Sequence, residues 1–242
     1  AVTGRTFIGN LDLKQTDITN IDFRWEKFSP KGQIISASAF VKDFTNPIEL
    51  VAYKAETPDN FQARNVGKAL VAGLEFEYRK SLTFISTRSH NFFFATNVSY
   101  IHSRVEMNEK EYQGKKQEER IGETVKNTRQ MQGQSPYLVN ASLNFKNNRG
   151  WQINASYNVQ GPRLAIVGIG VSPNVYEREF HSLNVNMQKS IDQAKKWSVS
   201  LRATNLLMQK RVMYQKSYEA STQIFTQVSP FSTFKFSIRY SL

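Results

Sequence analysis

Glu75, Glu77 and Arg79 stand two residues apart in "GLEFEYR". Two carboxylates so spaced on an extended chain share a face, and these residue types can serve as an acid–base pair. The same spacing sets a guanidinium beside them. A buried charge needs a partner, so the favoured reading is an ion network with cations on other strands, such as Lys235 or Arg239. His90, His102 and His181 do not lie at i, i+2 or i, i+4 to one another. They do not have the spacing of a metal site. "VGIGVSP" (167–173) has two glycines but no G-x-G-x-x-G and no helix after it, so it reads as a flexible outer loop rather than a phosphate cradle. Asn-x-Ser occurs at 97–99, 140–142 and 154–156, each time as Asn and Ser on one face of a strand. The chain has no cysteine, which removes disulfides, thiolate metal sites and cysteine nucleophiles. No nucleophile–base–acid constellation is visible, so no enzyme and no cofactor are indicated.

The elements that hold these residues are alternating strands. "WQINASYNVQ" (151–160) places Trp151, Ile153, Ala155, Tyr157 and Val159 on one side, and Gln152, Asn154, Ser156, Asn158 and Gln160 on the other. Water-exposed faces usually carry Lys and Glu, whereas this polar face is built from amides and a hydroxyl. The same period of two recurs in nine segments: about 18–28, 33–45, 69–79, 91–102, 137–145, 151–160, 180–191, 197–205 and the C-terminal "FSTFKFSIRYSL". Most reach the roughly 9 to 11 residues of a tilted membrane strand. The links at 29–32, 146–150 and 192–196 are tight turns rich in Pro, Gly, Asn and Asp, and that at 81–90 is somewhat longer. Links at about 46–68, 103–136, 162–179 and 206–230 are long. Short links alternating with long ones suit a barrel with short turns on one side of a membrane and long loops on the other. A soluble barrel with reversed faces shows the same alternation, but with shorter strands and tight loops at both ends.

Trp25, Trp151 and Trp197 all border short turns and sit on the apolar face, as does Tyr240. Amphipathic aromatic rings favour a membrane–water interface, so these four are the expected interface anchors. Glu75, Glu77, Arg79, Asn154, Asn158, Lys235 and Arg239 are the expected lumen-facing polar residues. The ligand-contacting residues are not legible.

The net charge is +12, a surplus that raises the question of nucleic acid. No recognition helix, stacking platform or single basic face accompanies it. The loop 103–136 carries seven cations against six glutamates and reads as a solvated loop. Other cations cluster at the turns, where they serve solubility or pair with lipid phosphates. No stretch approaches the roughly 18 apolar residues of a transmembrane helix. The chain opens "AVTGRTFIGN", without a Met or a signal-like segment, so either a signal has been removed or this is not the true start. The fold expected is therefore all-β, an antiparallel transmembrane β-barrel. Nine strands leave the first and last pointing the same way, whereas a closed antiparallel barrel needs an even number. Either the chain is an open piece of a larger barrel, or "IELVAYKA" (48–55) hides a further strand.

Several motifs point to a family. "GNLDLK" (9–14), "SASAFVKDFTNPIEL" (36–50), "NVGKALVAGLEFEYR" (65–79), "GQSPYLVNASLNF" (133–145) and the ending "FSIRYSL" resemble, in order and spacing, the late barrel strands of TonB-dependent outer-membrane receptors. The flavour is that of Bacteroidota receptors, including the SusC-like group. The resemblance implies that residues 1–242 form one unit, the C-terminal part of a barrel of about 22 strands, without a plug domain in this chain. It implies an outer-membrane location, with lipid, lipopolysaccharide, the rest of the barrel and the plug as neighbours. The TonB system would act through the plug, and a SusD-like surface lipoprotein is a further partner. The implied function is import of a large nutrient: a siderophore, cobalamin, glycan or peptide. A non-transporting scaffold in an envelope complex and a passive porin are the alternatives. Gln15-Thr16 stands where the family usually has Pro-Glu, and Leu242 where an aromatic is common.

Overall fold

The computed structural model describes residues 5–54, 57–82, 84–86, 90–170, 172–192, 194 and 196–240. Val171, Lys195, Ser241 and Leu242 lie outside the described residues, as does the side chain of His90. The strands are β1 (Thr6–Ile8), β2 (Asp17–Ser29), β3 (Gln33–Thr45), β4 (Ile48–Lys54), β5 (Thr57–Asn65), β6 (Ala69–Ser81) and β7 (His90–Glu106). Next come helix α1 (Glu109–Lys116) and strands β8 (Thr128–Arg129), β9 (Tyr137–Asn147), β10 (Trp151–Gln160), β11 (Arg163–Ile166) and β12 (Val175–Glu177). The last are β13 (Phe180–Ser190), β14 (Trp197–Thr204), β15 (Arg211–Gln215), β16 (Gln223–Val228) and β17 (Thr233–Tyr240).

The nine long segments form one antiparallel wall, ordered β17-β14-β13-β10-β9-β7-β6-β3-β2. Each strand from β3 to β14 pairs with its neighbours in the chain's order of wall strands, and β2 and β17 are the open edges among the described residues. The register keeps like beside like. Leu74 faces Ala39 and Tyr100, while Glu75 faces Ser38 and Ser99. Side chains alternate between faces along a strand, so the whole wall has one apolar face and one polar face.

The short turns are closed by local chemistry. Pro30–Gly32 forms a single 3₁₀ turn. Gly150 has φ +82°, and a Cβ there would sit 3.0 Å from Ser190, so the turn requires glycine. Asp192 accepts hydrogen bonds from the backbone N–H groups of Trp197 (2.7 Å) and Lys196 (3.0 Å). The Trp197 bond above all holds the Asp192 carboxyl below its ordinary pKa.

The four long connections contain more structure than loops. "IELVAYKA" does hold a strand, β4, but it lies outside the wall, in a three-stranded sheet ordered β1-β5-β4. The connections 162–179 and 206–230 contribute a four-stranded sheet ordered β11-β12-β15-β16. An isolated parallel bridge between Val51 and Val167 links the two sheets. These strands, with α1 and β8, form a cap.

The core of the cap rests on the wall. Val51, Leu164 and Val167 cluster with Val66, Ala69 and Val105, and Phe44 packs against them. Ala69, Val105 and Phe44 stand at the long-loop end of the wall, on the same face as Glu75. The polar face expected to line the lumen is therefore not polar along its whole length. Its upper end is apolar and dry because the cap folds onto it. "VGIGVSP" is corrected too. Val167 is fully buried, and its backbone bonds Ala52 N (2.9 Å) and Leu50 O (3.2 Å), so the start of this stretch is core rather than a free loop. A second cluster, Phe61, Ile166 and Val175, lies within the cap beside Phe225.

Candidate functional site

A buried ion cluster ties β4, α1 and β8 of the cap together. Arg129 follows β7's partner strand edge on β8, which pairs with Val105 and Glu106. Its Nε donates to Glu111 Oε1 at 2.6 Å, and its Nη2 to Glu111 Oε2 at 3.2 Å. Nη2 also lies 2.6 Å from Glu49 Oε2. That contact falls outside hydrogen-bond geometry and is coulombic. All three side chains are less than a tenth exposed. Burial pulls the Arg129 pKa down, but the hydrogen bonds to Glu111 and the charge of Glu49 outweigh it and hold the guanidinium above its ordinary value. Glu111 reaches Arg129 because Asn108 Oδ1 caps α1 by accepting from Glu111 N at 2.9 Å.

Gln132 adds a second fastening. Its Nε2 donates to the carbonyls of Leu50 (2.8 Å) and Ala165 (2.6 Å), and its Oε1 accepts from Leu50 N at 2.6 Å. The backbone N–H of Gln132 donates to Glu49 Oε1 at 2.8 Å. One side chain thus fills the gap between β4 and β11 where strand pairing stops. Across the cap, Glu177 holds Arg163 (2.7 Å) and Arg211 (3.1 Å) together. The reading of 103–136 as a merely solvated loop is corrected by this geometry. Its opposite charges are not only surface; Glu111 and Arg129 pair in the interior.

Where three connections meet, a cleft of about 360 Å³ opens, with residues from 107–129, 170–176 and 216–218. Lys115, Arg120, Lys126, Arg129, Lys216 and Tyr218 line it. Glu118 and Glu123 share its wall. Lys115 Nζ donates to Asn174 Oδ1 at 3.1 Å. Burial lowers the Lys115 pKa, opposed by Glu111 and assisted by Arg129. Arg120 donates to the Tyr218 carbonyl at 3.1 Å, and Tyr218 Oη donates to the Gly122 carbonyl at 3.0 Å. A cleft with this surplus of donors can hold a ligand bearing carboxylate, phenolate or phosphate oxygens.

The wall's polar face carries its own networks. Glu77 pairs with Arg24 of β2 at 3.1 Å and with Arg79 at 3.8 Å. Ser38 and Ser99 each donate to Glu75 at 3.5 Å. Asn154 donates to Asn144 at 2.7 Å, and Asn158 to Asn140. Lys235 and Arg239 lie on β17, with five strands between it and β6. They are not the partners of Glu75 and Glu77; Arg24 takes that place for Glu77 because β2 borders β3 and β3 borders β6, and Ser38 and Ser99 hold Glu75.

On the apolar face the large side chains are open. Leu74 is 62% exposed, Tyr100 62%, Phe234 66% and Phe236 65%. Trp25, Trp151, Trp197 and Tyr240 are exposed as well. Trp197 and Tyr240 are cross-strand neighbours with ring centroids 4.7 Å apart. These aromatics are not gathered into a dry centre.

Residues 1–206 match the family model described as the TonB dependent receptor-like β-barrel. The chain belongs to the TonB-dependent receptor β-barrel family. It is accordingly part of an outer-membrane barrel, a protein class that crosses the bilayer with strands. Among the described residues, no helix is long and apolar enough to cross a membrane. No curated protein matches this receptor-barrel chain by sequence.

Solved structures share the fold. The copper transporter OprC aligns with a TM-score of 0.63 at 16% identity, covering 97% of this chain and 33% of its own. The FrpB iron transporter from Neisseria meningitidis aligns at 0.58 and 12%, covering 98% and 33%. The outer-membrane transporter YddB from Escherichia coli aligns at 0.55 and 12%, covering 99% and 34%. This receptor-barrel chain therefore spans about a third of the length of the structures it matches.

Sequence reasoning did not find Glu49, Glu111, Arg129 and Gln132 as a cluster in this receptor barrel. Glu49 and Arg129 are eighty positions apart, and only folding of two connections onto one core brings them together. One signal was available: Asn108 followed by an acid-rich first turn is a helix start.

Proposed function

We propose that this chain forms barrel wall and outer cap of a TonB-dependent transporter importing a nutrient too large for porins, of the siderophore, cobalamin, glycan or peptide class. On this reading it is the C-terminal part of a barrel of about 22 strands, its apolar face meets lipid and its polar face lines the interior. The supporting observation is the cleft. Three connections on the same end of the wall converge on it, and Lys115, Arg120, Lys126 and Lys216 line it beside the paired Arg129. The ligand would dock there before passing along the interior.

Lys126 and Lys216 are exposed cleft residues, so changing them leaves the buried clusters intact. Lys126→Glu combined with Lys216→Glu is expected to lower uptake by roughly tenfold or more, since each replaces a charge-assisted contact with a repulsion. Uptake assays in cells, run over ferric siderophores, cobalamin, glycans and peptides, measure this. Unchanged uptake for every class would remove the cleft from the transport path. Loss of TonB should abolish uptake as well.

The resemblance to Bacteroidota receptors of the SusC-like group supports a second reading. Leu11 and Ile121 are fully exposed on the cap side, which favours docking of a SusD-like surface lipoprotein. A pure scaffold would bind that partner while TonB loss left the cell's nutrient uptake unchanged.

The orientation has its own test. Arg120 lies in the irregular stretch between α1 and β8. Trypsin added to intact cells is expected to cut first after Arg120. A first cut after Arg149, in a short turn, would invert the topology.

A further inference from the structure

The short-turn end of the apolar face repeats one arrangement. Trp25 and Lys27 follow each other on that face of β2, and Tyr78 and Lys80 do so on β6. Lys27 and Tyr78 are both paired in register with Ile35, so the motif on β6 sits one pleat nearer the short turn than that on β2. On β13, Lys189 lies opposite Trp151, with its Nζ 5.6 Å from the indole centroid and donating to the Arg149 carbonyl. The lysines have no acidic partner among the described residues. Glu26 and Glu77 point to the other face, where Arg24 holds both. Asp192, in the turn itself, is taken by the N–H groups of Lys196 and Trp197.

The opposite rim differs. There the same face carries Arg104 beside Glu106 (3.9 Å), and Glu179 accepting from Tyr137 Oη (2.7 Å). Arg104 at that end is matched by an acid, and a second acid, Glu179, stands on the same face.

We propose that the short-turn rim is a binding belt for anionic phospholipid in the leaflet on that side of the outer membrane. The proposal rests on the reading of the apolar face as the lipid face. Indole and phenol rings sit at headgroup depth, and the lysine ammoniums stand level with such a ring (Lys27, Lys189) or one pleat nearer the water (Lys80), within reach of a lipid phosphate. A headgroup with net negative charge gains these contacts without penalty. A zwitterionic headgroup brings its own ammonium against the same lysines. The mixed-charge outer rim has no such preference.

The test uses the intact receptor that contains this chain, purified in detergent and titrated with phosphatidylglycerol or phosphatidylcholine, with bound lipid counted by native mass spectrometry. Native receptor should retain phosphatidylglycerol preferentially, and K27Q, K80Q and K189Q should lower the preference by roughly fivefold per lysine. Equal retention of the two lipids by native receptor overturns the proposal, whether or not the variants fold. So does a heat-modifiable triple variant that keeps the full preference. K68Q with R104Q, at the opposite rim, should leave the preference unchanged; an equal drop there overturns the assignment to the short-turn end. Failure of the face reading itself would show separately, as tolerance of an arginine in the middle of the apolar face.

Discussion

Arg129→Met is expected to loosen the cap. The substitution leaves Glu49 and Glu111 buried without their cation, and removing one partner of a buried ion cluster costs about 3–5 kcal/mol. Lys115 is near but is turned to Asn174, so it does not replace the guanidinium. Hydrogen exchange on the folded receptor should show amides of β4, β8 and α1 exchanging at least about a hundredfold faster, while β6, β9 and β10 keep their protection. Replacing the whole cluster, Glu49→Leu, Glu111→Leu and Arg129→Met together, should recover much of the protection, because well-packed apolar side chains substitute for a buried ion group. If the single variant exchanges like the native protein, the cluster does not hold the cap.

The second large effect concerns the wall. Leu74→Arg should severely impair assembly into the membrane. Leu74 lies midway along β6 on the apolar face, with Ala39 and Tyr100 beside it. An arginine at bilayer midplane on a lipid-facing position costs about 2–4 kcal/mol. Asn154→Asp places a new charge on the polar face, beside Asn144, where water or a neighbouring amide can solvate it. Heat-modifiability on gels separates the two: the first variant should lose the folded band and the second should keep it. Equal behaviour would mean that both faces meet the same environment.

The nine wall strands and their two faces were legible because a strand's side chains alternate with a period of two. Local spacing alone then assigns every residue from Trp151 to Gln160 to a face, and register follows, since a one-residue slip would reverse all of them. The cap was not legible in the same way. β4, β5, β11, β12, β15 and β16 carry mixed residues, most of them are short, and their pairings β4–β5, β11–β12 and β15–β16 are each broken by a register shift. Their apolar residues are few, and each is buried only by residues from another connection. Val51, for instance, needs Leu164 and Val167.

Charge shows the same division. Glu75, Glu77 and Arg79 were recognisable as a network on the polar face, but the sequence offered Lys235 and Arg239 as readily as Arg24. A charge's sign is written in the residue; its partner is decided by which strands are neighbours. Sequence by itself determined the period, the strand lengths and hence the membrane class of this protein, because these depend on contacts between an element and a uniform solvent on each side. The tertiary structure alone decided that Glu49, Glu111 and Arg129 meet, that Gln132 bridges two strands and that three connections enclose one cleft. Those features depend on pairing between distant segments, and pairing energies exist only once the chain has folded to bring the segments within a few ångströms.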